Sequence, residues 1–553
     1  MFTGSLLAIL LAACITTSIV RLLAGSPPTG IDDADIFLVY ARNISSGHGF
    51  VFNAGGERVE GFTSLLWVLI CAAASSLLQH PERALLAVSV LLVSLTAAGC
   101  VWSPACRSHA RSTSKVWSYI FIVLLFSDAR YVAWNTITLM EGALWSCLLT
   151  ASALLTIADD SSHARSSWAL AAVTVLLIFT RPEALVWVPV VILLFYLKCA
   201  ATETRATAVR LVMPALLVYP LTVGMLTVAR LAYFGFPLPN TFYAKVSPLL
   251  AFNLREGSRY LLAYVFSGPV PILIVLAMFL SAAHLARVRL RDRQALPLTV
   301  LAGVGLLVPV LVGGDHFGGF RFYQGVYPIL VLLLVNCLRF IAPQYVSLPG
   351  RPELRRALIL GGGSLFACGF VIVQALEWTD FDERTRLPVE FQIAEAGRAR
   401  GWDAGRLFAD LPARPGIGTI TVGGLKYAYP GPVVDLMGLN DTRIAHNGGS
   451  RLGVNGHAAF EKAMFYELRP AILIPLMQAG SDLPSLERRD SFADDVLKGL
   501  LDDPKFRVRY ELADVRRATP AGEIALAGWY ERGFLSTLAG LKTFAIVTSR
   551  HER

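Results

Sequence analysis

Apolar runs long enough, or nearly long enough, to cross roughly 30 Å of hydrocarbon recur through the first two thirds of this chain. They lie near 2–24, 84–102, 142–157, 211–229, 260–283, 295–312, 324–341 and 357–376. One water-soluble core could not hide so much apolar surface: 55% of the 553 residues are hydrophobic and 16% charged, and the mean hydropathy is +0.56. Lipid leaves backbone polar groups no partner but each other, so the runs must be helical. The stretch 117–136 spans only if it is helical through Asp128 and Arg130. The stretch 167–197 is interrupted by Arg181-Pro182-Glu183 and reads as a broken hairpin, its charged break covered by protein or open to water. The expectation is a polytopic α-helical membrane protein of about eleven transmembrane helices, counting the hairpin as two.

Residues 1–24 lack a basic leading segment and are followed by further spans, so they read as a retained first helix, not a signal peptide. The formal charge of +9 is what cytoplasmic loops contribute to a membrane protein and carries no nucleic-acid argument. The eight cysteines fall in or beside apolar segments without a CxxC pair, which suggests neither a disulfide framework nor a metal site.

Charge sets the orientation. If 63–79 crossed the membrane, the loop holding Arg107, Arg111 and Lys115 would lie outside, against the positive-inside bias. Placing 63–79 as an interfacial helix puts the loops at 103–116, 198–210, 284–294 and 342–356 in the cytoplasm. The N-terminus is then cytoplasmic, and the loops at 25–83, 128–141, 181–183, 230–259 and 313–323 open outward. Two domains follow: 1–376 as a transmembrane catalytic domain, with its first outer loop at 25–83, and 377–553 as a soluble extracytoplasmic α/β domain.

The outer loops carry the candidate chemistry. Asp32, Asp33 and Asp35 stand just beyond the first span, where a carboxylate could deprotonate an acceptor hydroxyl or hold a divalent cation. The same acids would also suit a plain helix start. Gly56-Glu57-Arg58-Val59-Glu60-Gly61-Phe62-Thr63-Ser64 then punctuates the approach to 63–79. In Pro239-Asn240-Thr241-Phe242-Tyr243-Ala244-Lys245 most of the aromatics suit the membrane interface, while Lys245, five residues from Asn240, could offer a charge to a phosphate as a ring stacks on a sugar face. The fifth outer loop sets Asp315, His316 and Arg321 among glycines, and Asp315 could simply pair with Arg321, as Arg181 could with Glu183. Gly416-Ile417-Gly418-Thr419 does not extend to a dinucleotide-binding pattern.

Taken in order, these motifs resemble the GT-C superfamily of glycosyltransferases. They are most similar to the terminal arabinofuranosyltransferases of mycobacterial arabinan assembly and to related enzymes that decorate pilins. The likeness runs through Asp32-Asp33-Ala34, the 56–64 segment, Thr180-Arg181-Pro182-Glu183, 239–245, Gly313-Gly314-Asp315 with Phe320-Arg321-Phe322, and Asp435-Leu436-Met437-Gly438-Leu439-Asn440-Asp441. It implies a GT-C fold and a sugar, D-arabinofuranose by this likeness, moved from a polyprenyl-phosphate donor to an extracytoplasmic glycan or protein. It implies Asp32 and Asp33 as catalytic carboxylates and Arg181, Lys245 and Arg321 as partners of the donor phosphate. Glu60, Glu183, Asn240, Tyr243, Asp315 and His316 complete the donor site by the same likeness. A bacterial inner-membrane location follows, with membrane lipids as partners and no nucleic acid. Asp35 stands where the family carries an aromatic. Another hexosyl or pentosyl transferase, of lipopolysaccharide or exopolysaccharide assembly, would carry the same motifs. A transporter or flippase would instead gather its buried charges at the midplane between two symmetric halves.

Overall fold

The computed structural model describes residues 2–25, 29–106, 111–158, 163–341, 378–379, 381–449, 451–454, 456–478, 490–520 and 522–548, with a few isolated residues at 353–372, 483 and 486. Among them, Ser5–Leu23, Pro81–Val101, His163–Thr180, Arg205–Phe234 and Pro269–Arg287 are long and apolar enough to cross a membrane. Two more spans arise if each of the bent pairs, Lys115–Ser127 with Ala129–Asn135 and Gly318–Gln324 with Tyr327–Arg339, is one crossing; both bend by 71°.

The count is therefore five to seven, not about eleven. Three of the expected crossings fold as Gly142–Ile157, Ala184–Ala200 and Ala295–Leu311, helices of 16, 17 and 17 residues. At 1.5 Å per residue they reach only about 24–26 Å. The expected crossing at 357–376, like most of the loop at 342–356, lies outside the described residues. The run 260–283 also departs from expectation, dividing into Leu250–Val265 and Pro269–Arg287. Pro269 sits at the start of the second helix and, lacking an N–H, cannot continue the first. The 63–79 segment forms Leu65–Leu77, 13 residues and about 20 Å long, too short to span by itself. Ser64 caps it, its hydroxyl accepting from the Trp67 amide.

The described residues group into two compact units that are interleaved in sequence. The first comprises 1–24, 85–227 and 250–386 and is helical. At the break expected at Arg181-Pro182-Glu183, His163–Thr180 ends and Ala184–Ala200 begins.

The second unit comprises 25–84, 228–249 and 387–553. Its sheet has six strands: β1 (Ile417–Thr419), β2 (Val433–Asp435), β3 (Ile472–Leu473), β4 (Tyr510–Thr519), β5 (Gly522–Glu531) and β6 (Ala545–Thr548), in the order β2-β1-β3-β5-β4-β6. β1 runs parallel to β2 and β3, and the other pairings are antiparallel. The helix Leu387–Leu407 buries Phe391, Ala394, Gly397 and Gly401. Gly397 and Gly401 let it approach the backbone of Gly423–Ala428: a Cβ on Gly401 would lie 2.6 Å from the Leu425 carbonyl oxygen.

Candidate active site

In the second unit, Asp32, Asp33 and Asp35 occupy the first turn of the helix Asp32–Ser45, where the helix dipole favours negative charge. They meet different partners. Asp32, 8% exposed, accepts hydrogen bonds from the consecutive amides of Gly423 (3.0 Å) and Gly424 (2.8 Å). Burial outweighs those bonds and lifts its carboxyl above the ordinary range to about 6. Asp35 is fully buried and forked by Arg398, whose Nε lies 2.8 Å from Oδ2 and whose Nη2 reaches Oδ1. Arg398 also holds Glu82 at 2.9 Å and lies over the Tyr427 ring at 3.9 Å. Asp33 remains partly exposed, with its Oδ2 4.0 Å from the ammonium of Lys245.

The glycine pair is a steric requirement. A Cβ on Gly423 would lie 1.9 Å from the Asp32 carbonyl oxygen, and one on Gly424 2.4 Å from that of Ala394. Gly423→Ala is therefore expected to cost about 1–3 kcal/mol or more in thermal unfolding. Gly416→Ala, where a Cβ meets nothing within 4 Å, serves as its control. Equal melting of the two variants would refute the close approach.

The remaining expected residues of this unit anchor its loops. Glu60, 3% exposed, forms a two-point pair with Arg230, both contacts 2.8 Å. Burial raises the Glu60 carboxyl and Arg230 opposes that rise. Asn240 donates from Nδ2 to the carbonyls of Gly438 (2.8 Å) and Leu439 (2.9 Å), and its amide donates to the Glu60 carbonyl. Tyr243 packs against His446, which stacks on Phe236 at 3.9 Å. Burial and Arg451 hold that imidazole toward its neutral form.

Asp435 is 1% exposed and wraps its own turn, accepting from the amides of Met437 and Asn440 and from Asn440 Nδ2. Asn440 in turn accepts from the Tyr40 hydroxyl, which accepts from the Gly61 amide. No other residue fits at Gly61, where a Cβ would stand 1.9 Å from Asn440 Oδ1.

Burial leaves a pH signature here, because the Asp435 carboxyl is also raised to about 6. A carboxyl raised on folding binds its proton more tightly in the folded state. It therefore weakens the fold above pH 6, and that loss is relieved as pH falls from about 6 toward 4. Against the ordinary carboxyl range, the raised value of about 6 at Asp32 corresponds to on the order of 3 kcal/mol. Thermal unfolding is expected to show the wild type gaining on Asp32→Asn between pH 7 and 5; a constant difference would refute the assignment.

In the first unit, Glu141 and Glu183 are the N-cap residues of Gly142–Ile157 and Ala184–Ala200. Arg181 bridges them: Nε and Nη2 donate to Glu183 at 2.8–3.1 Å, and Nη1 donates to Glu141. Arg321 donates from Nε to Asp315 Oδ2 (2.7 Å) and from Nη2 to Oδ1 (3.2 Å), while His316 Nδ1 lies 3.4 Å from Asp315 Oδ1. Arg181 and Arg321 both lie over the Phe322 ring and line one cavity with Glu141 and Glu183. The pairings Arg181–Glu183 and Arg321–Asp315, open alternatives in the sequence, are both formed.

The expected residues thus fall into two groups. Asp32, Asp33, Glu60, Asn240, Tyr243 and Lys245 belong to one compact unit, and Arg181, Glu183, Asp315, His316 and Arg321 to the other. Among the described residues no three His, Cys, Asp or Glu side chains gather so as to hold a metal ion, and Asp32 and Asp35 are committed elsewhere.

No protein-family model matches the chain. It is similar over 353 residues, at 27% identity, to a terminal β-(1→2)-arabinofuranosyltransferase of Corynebacterium glutamicum. That match takes in 58% of this chain and 50% of the relative, so the chain spans about half the length of the curated relative it matches. Two crystal structures of ArnT from Cupriavidus metallidurans superpose on 78% of the chain at 14% identity. One is bound to undecaprenyl phosphate (TM-score 0.49, 86% of that chain) and one is apo (TM-score 0.48, 85%).

Sequence reasoning missed Glu82, Glu141, Arg230, Arg398 and the Gly423-Gly424 pair. Arg230 had a signal, being the one charge near the C-terminal end of the long apolar helix Arg205–Phe234. Glu141 had a weaker one, an acid at the threshold of an apolar run. The distant partners of Asp32 and Asp35 had none, since only folding brings residues 398 and 423 to residues 35 and 32.

Proposed function

We propose that the chain is a bacterial inner-membrane glycosyltransferase of the GT-C type, moving a sugar from a polyprenyl-phosphate donor to an extracytoplasmic glycan or protein. The observation that carries this reading is the differing commitment of three successive acids. Asp32 and Asp35 are locked to Gly423-Gly424 and to Arg398, while Asp33 stays partly exposed beside Lys245. A carboxylate so placed takes the proton of an acceptor hydroxyl as its oxygen attacks the anomeric carbon. The bond from that carbon to the phosphate oxygen breaks, and Lys245 offsets the charge on the leaving polyprenyl phosphate. Glu60, Asn240 and Tyr243 hold the loops that carry Lys245.

The outward orientation draws support from the basic loops at 198–210 and 284–294, together with the packing of 25–84 and 228–249 with 387–553 as one compact unit. In this reading 1–376 forms the membrane catalytic part and 377–553 the outer domain.

The donor sugar is the finer step. D-arabinofuranose is supported by the motif resemblance and by the printed activity of the Corynebacterium relative. With 27% identity over half of that relative, a pentosyl or hexosyl transferase of lipopolysaccharide or exopolysaccharide assembly fits the same acids and lysine at least as well. The test supplies the purified chain, in lipid, with polyprenyl-phospho-arabinofuranose or a polyprenyl-phospho-hexose and an oligosaccharide acceptor. Transfer from one donor, abolished by Asp33→Asn, is expected. Transfer from neither sinks the reading, and transfer indifferent to Asp33 removes the catalytic assignment.

A further inference from the structure

The cavity of the first unit has a composition unsuited to the phosphate its arginines suggest. Its lining sets the carboxylates of Glu141 and Glu183 against the guanidinium groups of Arg181 and Arg321, and Arg321 is paired in addition with Asp315. Every guanidinium nitrogen of Arg181 already donates to an acid. A phosphate entering here would meet guanidinium groups already paired with acids and offer only further acceptors.

The same wall carries buried acceptors without partners. Asn135, Glu141 and Gln324 line the cavity and are 1%, 1% and 2% exposed. Each carries a buried oxygen with no hydrogen-bond partner: Asn135 Oδ1, Glu141 Oε2 and Gln324 Oε1. The two amides are fixed in that sense. Asn135 Nδ2 donates to the Tyr131 carbonyl at 2.8 Å and Gln324 Nε2 to that of Gly319 at 2.7 Å, so turning either would face oxygen to oxygen. Buried polar atoms are ordinarily satisfied, and three orphaned acceptors around one cavity call for a ligand that brings hydrogen-bond donors. Trp134, Trp145 and Trp187 line the same space and supply broad apolar faces.

Indole faces with convergent acceptors recognise a ring that has C–H faces and hydroxyl edges. We propose that this cavity binds the neutral, hydroxyl-bearing ring of a sugar, with Asn135, Glu141 and Gln324 accepting its hydroxyl protons. Arg181 and Arg321 act as positioning residues for the acids, which revises their expected place at the donor phosphate. The inference rests on the sugar-transfer reading only in choosing a pentose as the probe.

The test follows tryptophan fluorescence of the full chain in detergent during titration with D-arabinose and, separately, with inorganic phosphate. A saturable change with the pentose is expected, with a dissociation constant on the order of millimolar for so small a ligand, and none with phosphate. Glu141→Gln removes one negative charge and is expected to weaken pentose binding about tenfold, whereas a phosphate site would tighten. Gln324→Leu, which leaves the ion pairs intact, is expected to weaken the pentose as well. Absence of saturable pentose binding, pentose binding indifferent to both variants, or phosphate that competes and tightens in Glu141→Gln would each overturn the proposal. Pentose binding without transfer activity would sink the proposed function alone; transfer without pentose binding would sink this inference alone.

Discussion

Asp33→Asn is expected to lower kcat for sugar transfer by about 10²–10⁴-fold, the range over which a positioned general base contributes, while the protein melts as the wild type does. The expectation rests on where Asp33 stands: its side chain is 21% exposed and its Oδ2 lies 4.0 Å from the Lys245 ammonium. Replacing an oxygen by an amide nitrogen there removes proton-accepting power and leaves the packing of the Asp32–Ser45 helix untouched. Asp32→Asn provides the contrast. An amide cannot accept from both Gly423 and Gly424, so this variant loses activity together with stability. Lys245→Ala is expected to reduce kcat more than it raises the donor KM, because the ammonium matters most when the phosphate departs. An Asp33→Asn enzyme within a few-fold of wild type would place the base elsewhere.

Much of this site was legible from chemistry along the chain, and the rest depended on distance. The acidic first turn, the break at Arg181-Pro182-Glu183 and Lys245 are each visible because an ionisable residue beside a long apolar run is costly and so conspicuous. Their division of labour was not. Nothing adjacent to Asp35 announces that Arg398, over 360 positions later, will fork it, and nothing in Gly423-Gly424 announces an amide pair for Asp32. The span count erred for another reason. Hydropathy measures how apolar a run is but not where its helix stops: Gly142–Ile157, Ala184–Ala200 and Ala295–Leu311 end after 16 or 17 residues, and the bend after Ser127 divides a run that reads as continuous. The parallel pairing of β1 with β2 and β3 needed the fold.

Arg398→Ala is expected to cost about 3–5 kcal/mol of stability, as removal of one partner from a buried ion pair does, and to depress activity with it. Arg398 is 13% exposed, and its two acids Asp35 and Glu82 are 0% and 11% exposed. Without the guanidinium, two like charges face each other in a poorly solvated setting. The Tyr427 ring also loses the cation stacked on it at 3.9 Å. Asp35 stands two residues beyond Asp33 in the same helical turn, so the strain passes to the proposed base. A double-mutant cycle separates the pair from its surroundings. Asp35→Asn alone leaves Arg398 with Glu82, and adding Asp35→Asn to Arg398→Ala removes the stranded charge, so the double variant is expected to melt above Arg398→Ala. Additive losses, or an Arg398→Ala protein as stable as the wild type, would show that the first turn is held by the Gly423-Gly424 amides alone.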